Sequence, residues 1–443
     1  MGFLVGDGVT DNSRALQELL DKGGEIVIPA GDYLTGPIEV RSSTKLVLEK
    51  GATLRFIPDP ALYEPVYTRW EGVKCHAMHP CFFINEAHDV VITGEGTIDG
   101  SGKPWWEEVW AKKARGQNRP ESELEKKFAA LNPGYETQPG GGGGRPCQFL
   151  RPALFQVKDS ENILVENITV QNSPFWTVHP LFSRNITLKG LTIKNPYDSP
   201  NTDGIDVESC SDVKIIDCSV FVGDDGIALK SGSGPEGIRD NVPTTDVIIK
   251  GCRVVKAHGG AVIGSETAAG ISNVVVEDCV FDDTDRGIRI KSRRGRGGAL
   301  HDLVFRNLTM KNNLCPLVVN MFYKCGCSDE SCFSLEKQEV TSETPSLYNV
   351  VVEGCKAEGS RASAGMIVGL PELPVRNLTV RDCELGVDPE SDADVTTSGM
   401  YRGLPAPESR GLRLRYIESL TLENVKVSGT DKEILIEDSV SFA

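Results

Sequence analysis

The stretch NTDGIDVESCSDVKIIDCSVFVGDDGIALKSG, residues 201–232, decides the fold. It sets acids beside glycines twice, Asp203 in NTDG and Asp224–Asp225 in GDDG, with an apolar-alternating run, Val213 to Val222, between them. The acids stand 21 and 22 positions apart. The middle phrase, an Asn or Asp followed by a short β-branched run, recurs at Asn162, Asn185, Asp212, Asp246, Asn273, Asp302, Asn349 and Asn377, with a weaker copy at Ser419. Successive starts differ by 23, 27, 34, 27, 29, 47, 28 and 42 residues. Such intervals, with strand-length runs and no helical period between them, indicate one coil per repeat. A doubly wound α/β sheet needs a helix between strands, and none is legible here. The fold class expected is all-β: a right-handed parallel β-helix, one catalytic domain over residues 1–443.

Working outward, Asp11 to Lys22 reads as a short amphipathic helix forming an N-terminal helical cap, with Asp11 as its N-cap and Gly23–Gly24 as its stop. Strands are expected at Glu25–Ile28, Lys45–Leu48 and Val90–Thr93. Between Lys103 and Pro146 the pattern breaks. Trp105, Trp106, Trp110, a charged helical segment (Glu121–Leu131) and five glycines (Gly140–Gly144) make a long loop insertion, read as a lid or cleft wall.

Net charge is −16, which disfavours nucleic acid as a partner and requires a local basic patch for any anionic ligand. No apolar run reaches the length of a membrane helix, so no membrane partner is expected. Thirteen cysteines, an odd number and mostly isolated in strand phrases, fit a reduced, cytoplasmic setting. A secreted or periplasmic one follows if a leader has been lost. Cys315, Cys325, Cys327 and Cys332 cluster, but their spacing suits loop thiols or a local disulfide better than zinc. No metal and no cofactor is expected.

Residues at one place in successive coils stack about 4.8 Å apart. His258 lies 33 residues after Asp225, and Arg289 follows 31 residues later with Lys291 beside it. Four coils therefore offer three carboxylates, an imidazole and two cations to one face. Paired carboxylates suit general acid and base roles. Asp224 and Asp225 are neighbours and would point to opposite faces of a regular strand; Gly223 and Gly226 are expected to permit the bend that brings both to one side. Close carboxylates raise one pKa, which His258 would tune by hydrogen bonding. Arg286 to Arg296 carries six cations, suited to a carboxylate or phosphate. Arg289 and Lys291 share a strand face, whereas Arg293, Arg294 and Arg296 read equally well as a solvated turn.

NTDG (201–204), GDDG (223–226), HGG (258–260) and RIK (289–291), in that order, resemble glycoside hydrolase family 28, the polygalacturonases. VGDGVTDN (5–12), VIPAGDYLTGP (27–37), GEGTIDGSG (94–102), SPFWTVHP (173–180) and VIGSE (262–266) look like its exo-acting branch. The resemblance spans at least residues 5–325. It implies a parallel β-helix that hydrolyses α-1,4 bonds between galacturonic acids with inversion and without metal. It also implies Asp224 as general acid, Asp203 and Asp225 as the pair activating water, and His258 as support for the acid. Arg289 and Lys291 would bind a galacturonate carboxylate beyond the scissile bond, and Tyr323 would contact the sugar. Ala257 departs from the Gly or Ser common before the histidine, one small residue for another. The stretch Thr68–Gly72 and the insertion are expected to block one end of the groove, with Arg69, His179 and Arg151 as wall residues facing the substrate. The partner is thus a pectic oligo- or polysaccharide. Competing readings are a hydrolase of modified pectin (xylogalacturonan or unsaturated oligogalacturonides), a pectate-lyase-like β-eliminase and a non-catalytic carbohydrate-binding solenoid. The RIK motif disfavours a rhamnogalacturonan substrate.

Overall fold

The computed structural model describes residues 4–139, 143–397 and 399–443, so Gly140–Gly142 of the glycine run lie outside the described residues. The chain divides into two compact units, residues 1–224 and 225–443.

In the first unit each coil crosses three faces, and each face is a parallel sheet. The first face stacks Gly24–Ile28, Thr44–Leu48, His88–Gly94, Glu161–Glu166, Arg184–Lys189 and Ser211–Ile216 in that order. The second stacks Ala52–Phe56, Thr97–Asp99, Thr169–Gln171, Thr192–Lys194 and Ser219–Phe221. The third stacks Ile38–Val40, Phe82–Asn85, Phe155–Lys158, Val178–Leu181 and Ile205–Glu208. The second unit repeats the plan. Its third face runs Asp225–Lys230, Gly259–Ile263, Arg286–Lys291, Cys315–Asn320, Gly365–Val368, Leu412–Arg415 and Ile434–Ile436.

The recurring Asn or Asp has a conformational reason. Asp89, Asn162, Asn185 and Asp212 in the first unit, and Asp246, Asn273, Asp302, Asn349 and Asn377 in the second, all have φ between 51° and 58°. Among non-glycine residues Asn and Asp tolerate that region best. Their side chains also form exposed ladders. Asn162 donates to Asp89 at 3.0 Å and Asn185 to Asn162 at 2.7 Å. In the second unit Asn349 donates to Asp302 at 3.0 Å and Asn377 to Asn349 at 3.1 Å. Every second residue after this corner points inward: Ile163 and Val165, Ile186 and Leu188, Val213 and Ile215 are all buried. Burying each such side chain contributes roughly 1.5–3 kcal/mol.

The cysteines follow the same logic. Register aligns Cys218 with Leu191 in the first unit, and Cys252, Cys279, Leu308, Cys355 and Cys383 in the second, all buried at one corner. A thiol takes the place of a leucine there, as a small apolar group. None of the thirteen cysteines forms a disulfide, including the cluster at Cys315–Cys332, for which a local disulfide is one expectation of the sequence.

Helix positions depart from the sequence reading at three places. Helix α1 spans Ser13–Leu20 and buries Leu16 and Leu20. Asn12, not Asp11, stands at its N-cap, and it makes no capping bond. Its side-chain oxygen, the atom that would cap, accepts instead from the Val5 N–H at 2.8 Å, while Asp11 accepts from the Ser13 N–H at 2.8 Å. The insertion holds an unexpected helix, α2 (Lys103–Ala114), before α3 (Glu123–Leu131). Two tryptophans of α2, Trp105 and Trp106, are buried, which the broken periodicity concealed. Ser122 and Glu125 form the capping box that starts α3, two residues later than expected. Lys112 ties the helices together, 2.7 Å from Glu108 and 2.5 Å from Glu125.

Candidate active site

In the first unit the NTDG and GDDG turns bring Asp203 and Asp224 together, with one carboxylate oxygen of each within 4.8 Å. Asp203 is buried and Asp224 half-buried. Gly223 explains part of the turn, for a reason other than the expected bend. Its φ is not positive, but a Cβ there would lie 2.0 Å from the Tyr197 carbonyl oxygen. Close approach, not conformational freedom, demands glycine. Arg151, fully buried, donates to the carbonyls of Pro174 (2.6 Å) and Pro200 (2.8 Å) and to the Asn201 side chain (3.1 Å). It thereby fixes the residue that opens NTDG. Burial pushes its guanidinium down to about 9, against the opposing pull of Glu71 and Asp203.

In the second unit Asp225 opens the third-face strand Asp225–Lys230 and lies in register with Gly259, so His258 directly precedes its partner in the next coil. His258 is half-buried. Arg289 Nη1 donates to Asp225 Oδ1 and Lys291 Nζ to Asp225 Oδ2, each at 2.5 Å. Burial alone would raise the Asp225 carboxyl, but Lys291, then Arg289 and Lys230, hold it well below the usual carboxylate range. Asp225 is therefore an ionised hydrogen-bond acceptor and not a proton donor. The Tyr323 ring lies 5.7 Å from the Arg289 guanidinium and 5.3 Å from Lys291 Nζ, and burial pushes its phenol up. Beneath, Lys230 meets Glu266 at 3.1 Å, with Arg296 3.6 Å from the same carboxylate. Burial would raise Glu266, but Lys230, Arg296 and Lys291 hold it at about 2.

The remaining arginines of that run are not a solvated turn. Arg294 grips Glu372 through two bonds, 2.6 and 2.7 Å, and Arg293 donates to the Gly326 carbonyl at 2.9 Å. Arg296 donates to Ser233 at 2.8 Å. All three are buried, so they fix loops.

Arg69 and His179 meet on an acid that sequence reasoning missed, Glu208. His179 Nε2 lies 3.0 Å from Glu208 Oε2 and Arg69 Nη1 3.3 Å from Oε1. Gln156 contacts His179 Nδ1 at 2.9 Å. All four side chains are buried. Arg69 comes from an antiparallel hairpin, Pro65–Trp70 with Val73–Met78, which turns at Glu71–Gly72 where both φ values are positive. Thr68 donates to Gln156 at 3.0 Å and the Trp70 ring stacks on Phe175 at 4.6 Å. The hairpin thus lies over the third face of the first unit. The insertion braces it: Asn132 exchanges hydrogen bonds with the His76 backbone, and the Gly143 N–H donates to Glu71 at 2.9 Å. Insertion and Glu71 together wall a cleft of about 680 Å³, lined by Lys113, Arg119, Tyr135, Arg145 and Phe149 among others. The only sequence signal for Glu208 was an acid alternating with Asp206 inside an otherwise apolar strand; Lys230 gave no more than a strand-end lysine.

Asp203 and Asp224 thus meet on two turns of the first unit, and Asp225, Arg289 and Lys291 meet on third-face strands of the second. Residues 142–396 match the glycosyl hydrolases family 28, more than half of the chain, and the chain belongs to that family. It is 34% identical over 322 residues to a "Probable polygalacturonase" of Vitis vinifera, covering 69% of this chain and 59% of that protein's length. With the endo-polygalacturonase of Pectobacterium parmentieri it shares 29% over 355 residues, 76% and 78% of the two chains. The crystal structure of a hyperthermoactive exopolygalacturonase from Thermotoga maritima is similar with a TM-score of 0.77 and 30% identity, covering 96% of this chain and 90% of that one.

Proposed function

We propose that the protein is a polygalacturonase that hydrolyses α-1,4-galacturonosidic bonds from chain ends, with inversion and without a metal. The observation that carries the reading is the carboxylate pair Asp203 and Asp224, within 4.8 Å on the NTDG and GDDG turns of a family 28 chain. Asp224, the more exposed, protonates the leaving oxygen. Asp203 and the ionised Asp225 orient and activate water. His258 supports the acid, and Arg289, Lys291 and Tyr323 bind the galacturonate beyond the scissile bond.

The end-on mode rests on the hairpin. Pro65–Met78 covers the third face of the first unit, where a longer substrate would otherwise lie. Inversion rests on family membership and not on spacing, because carboxylates of inverting pairs usually stand about 6.5–9.5 Å apart. A reducing compartment is part of the proposal, as thirteen cysteines outside any disulfide fit it.

A time course on polygalacturonate and short oligogalacturonides without calcium tests the reading. Early galacturonate monomer, no ultraviolet-absorbing product and a first-formed β-anomer by NMR are the expected results. Mixed oligomers would overturn the end-on mode, and an unsaturated product would overturn hydrolysis.

A further inference from the structure

The outer face of the second unit's third sheet is covered from Arg289 onward, Arg289 itself being 3% exposed. Val318, Met366 and Arg413 follow Arg289 in register over the next three coils, so they share its face. Their exposures are 1%, 2% and 2%, and that of Asn320, in register with Lys291, is 0%. Sheet faces that bind a polymer stay open to it; this one is roofed. The roof is the segment Gly399–Gly403. Asn320 Nδ2 donates to the Gly399 carbonyl at 2.6 Å, and a Cβ on Gly399 would lie 2.6 Å from Met366 Sδ. The Lys324 N–H donates to the Met400 carbonyl at 3.0 Å, the Arg402 N–H to the Phe322 carbonyl at 3.1 Å, and Tyr401 bridges to Tyr323. All of this segment lies beyond the residues that match the family, 142–396.

Met400 reaches back from the roof to the cation. Arg289 Nη2 meets Met400 Sδ at 3.0 Å, while Nη1 is given to Asp225. A thioether is a weak acceptor and a carboxylate a strong, charge-assisted one. A sugar carboxylate arriving at Nη2 therefore displaces the sulfur, but a second sugar beyond it meets the Met400 side chain and the roof. Coils are about 4.8 Å apart, so no room for another residue remains along the sheet.

We propose that Met400 is a specificity-determining residue that favours a single uronic acid as the leaving group, making short oligogalacturonides, above all the dimer, the preferred substrates. This rests on the proposed polygalacturonase reading. It makes the protein an enzyme acting after others have fragmented the polymer: a reaction class that cuts galacturonan internally must supply its substrate.

The test is kcat/KM on di-, tri- and tetragalacturonate for the wild type, Met400→Gly and Met400→Leu, with melting temperatures alongside. Met400 has φ +53°, which glycine accepts freely. The wild type should prefer the dimer. Met400→Gly should raise the trimer-to-dimer ratio by about tenfold, the scale of one side chain's worth of pocket discrimination, mainly through KM. Met400→Leu keeps the bulk and should keep the wild-type ratio. A wild type indifferent to length, or a Met400→Gly ratio unchanged in a folded variant, overturns the role of Met400 while leaving hydrolysis intact. No turnover on any oligomer would instead sink the polygalacturonase reading, and this inference with it.

Discussion

Lys291 Nζ donates to Asp225 Oδ2 at 2.5 Å, in surroundings where the lysine is 6% and the aspartate 1% exposed. A buried carboxylate in such company stays charged through the working pH range, and its charge depends on the cation. Replacing Lys291 with Met removes the largest attraction on Asp225 while keeping the length of the side chain. The Asp225 carboxyl then rises, so the form able to assist water is lost at higher pH. The acid limb of kcat/KM should move upward by roughly one pH unit or more. A pH–rate profile with an unmoved acid limb would remove Asp225 from the base role.

Asp224→Asn removes the proton donor but keeps the shape of the GDDG turn. The kcat should fall by about 10²–10⁴ or more. The melting temperature should hardly change, because Asp224 is half-buried whereas Asp225 carries the ion pairs. Turnover close to wild type would end its assignment as the acid.

Acid stability follows from Glu266 and Asp225. Both carboxyls are depressed in the folded protein, Glu266 from 4.5 to about 2. A depressed group contributes stability that is fully present above its unfolded pKa and disappears as pH falls through the folded one. The urea midpoint should therefore hold steady from neutral pH to about pH 5 and then decline toward pH 2. Glu266→Gln should shorten that decline and lower stability at pH 7, since Lys230 and Arg296 lose their counter-charge. An equal slope below pH 5 in the variant would mean other groups govern the transition.

The coil repeat was legible because its period is written in residues that cannot be exchanged freely: Asn or Asp at positive φ, then alternating aliphatics. The acids and the RIK cations were legible because glycine and strand parity frame them. What escaped detection is tertiary. Glu208 looks like any strand-end acid until Arg69, 139 residues away in sequence, folds onto it. Arg293, Arg294 and Arg296 looked solvated because their partners, Gly326, Glu372 and Ser233, are set by loops and not by period. The N-cap expected at Asp11 shows the same limit, since Asn12 stands at the cap and its oxygen is taken by the Val5 N–H outside the helix.

The buried group of Arg69, His179 and Glu208 carries its own test. Arg69→Met takes from the buried Glu208 its guanidinium partner, so it should cost about 3–5 kcal/mol. Arg69→Met with Glu208→Gln removes both charges and should recover part of that loss. Chemical denaturation measures both; a single variant as stable as the wild type would show that the hairpin is held by Trp70 and Thr68 instead.

The asparagine corner confines change to one part of each coil. The repeat starts lie 23 to 47 residues apart, yet the strands stay in register, so all the extra length is taken up in connections. Closing a loop twice as long costs only about 0.6 kcal/mol. For a lineage this makes innovation cheap. A chain of this kind can acquire a roof such as Gly399–Gly403 by lengthening one connection, exchanging one diet of saccharides for another without renegotiating its core.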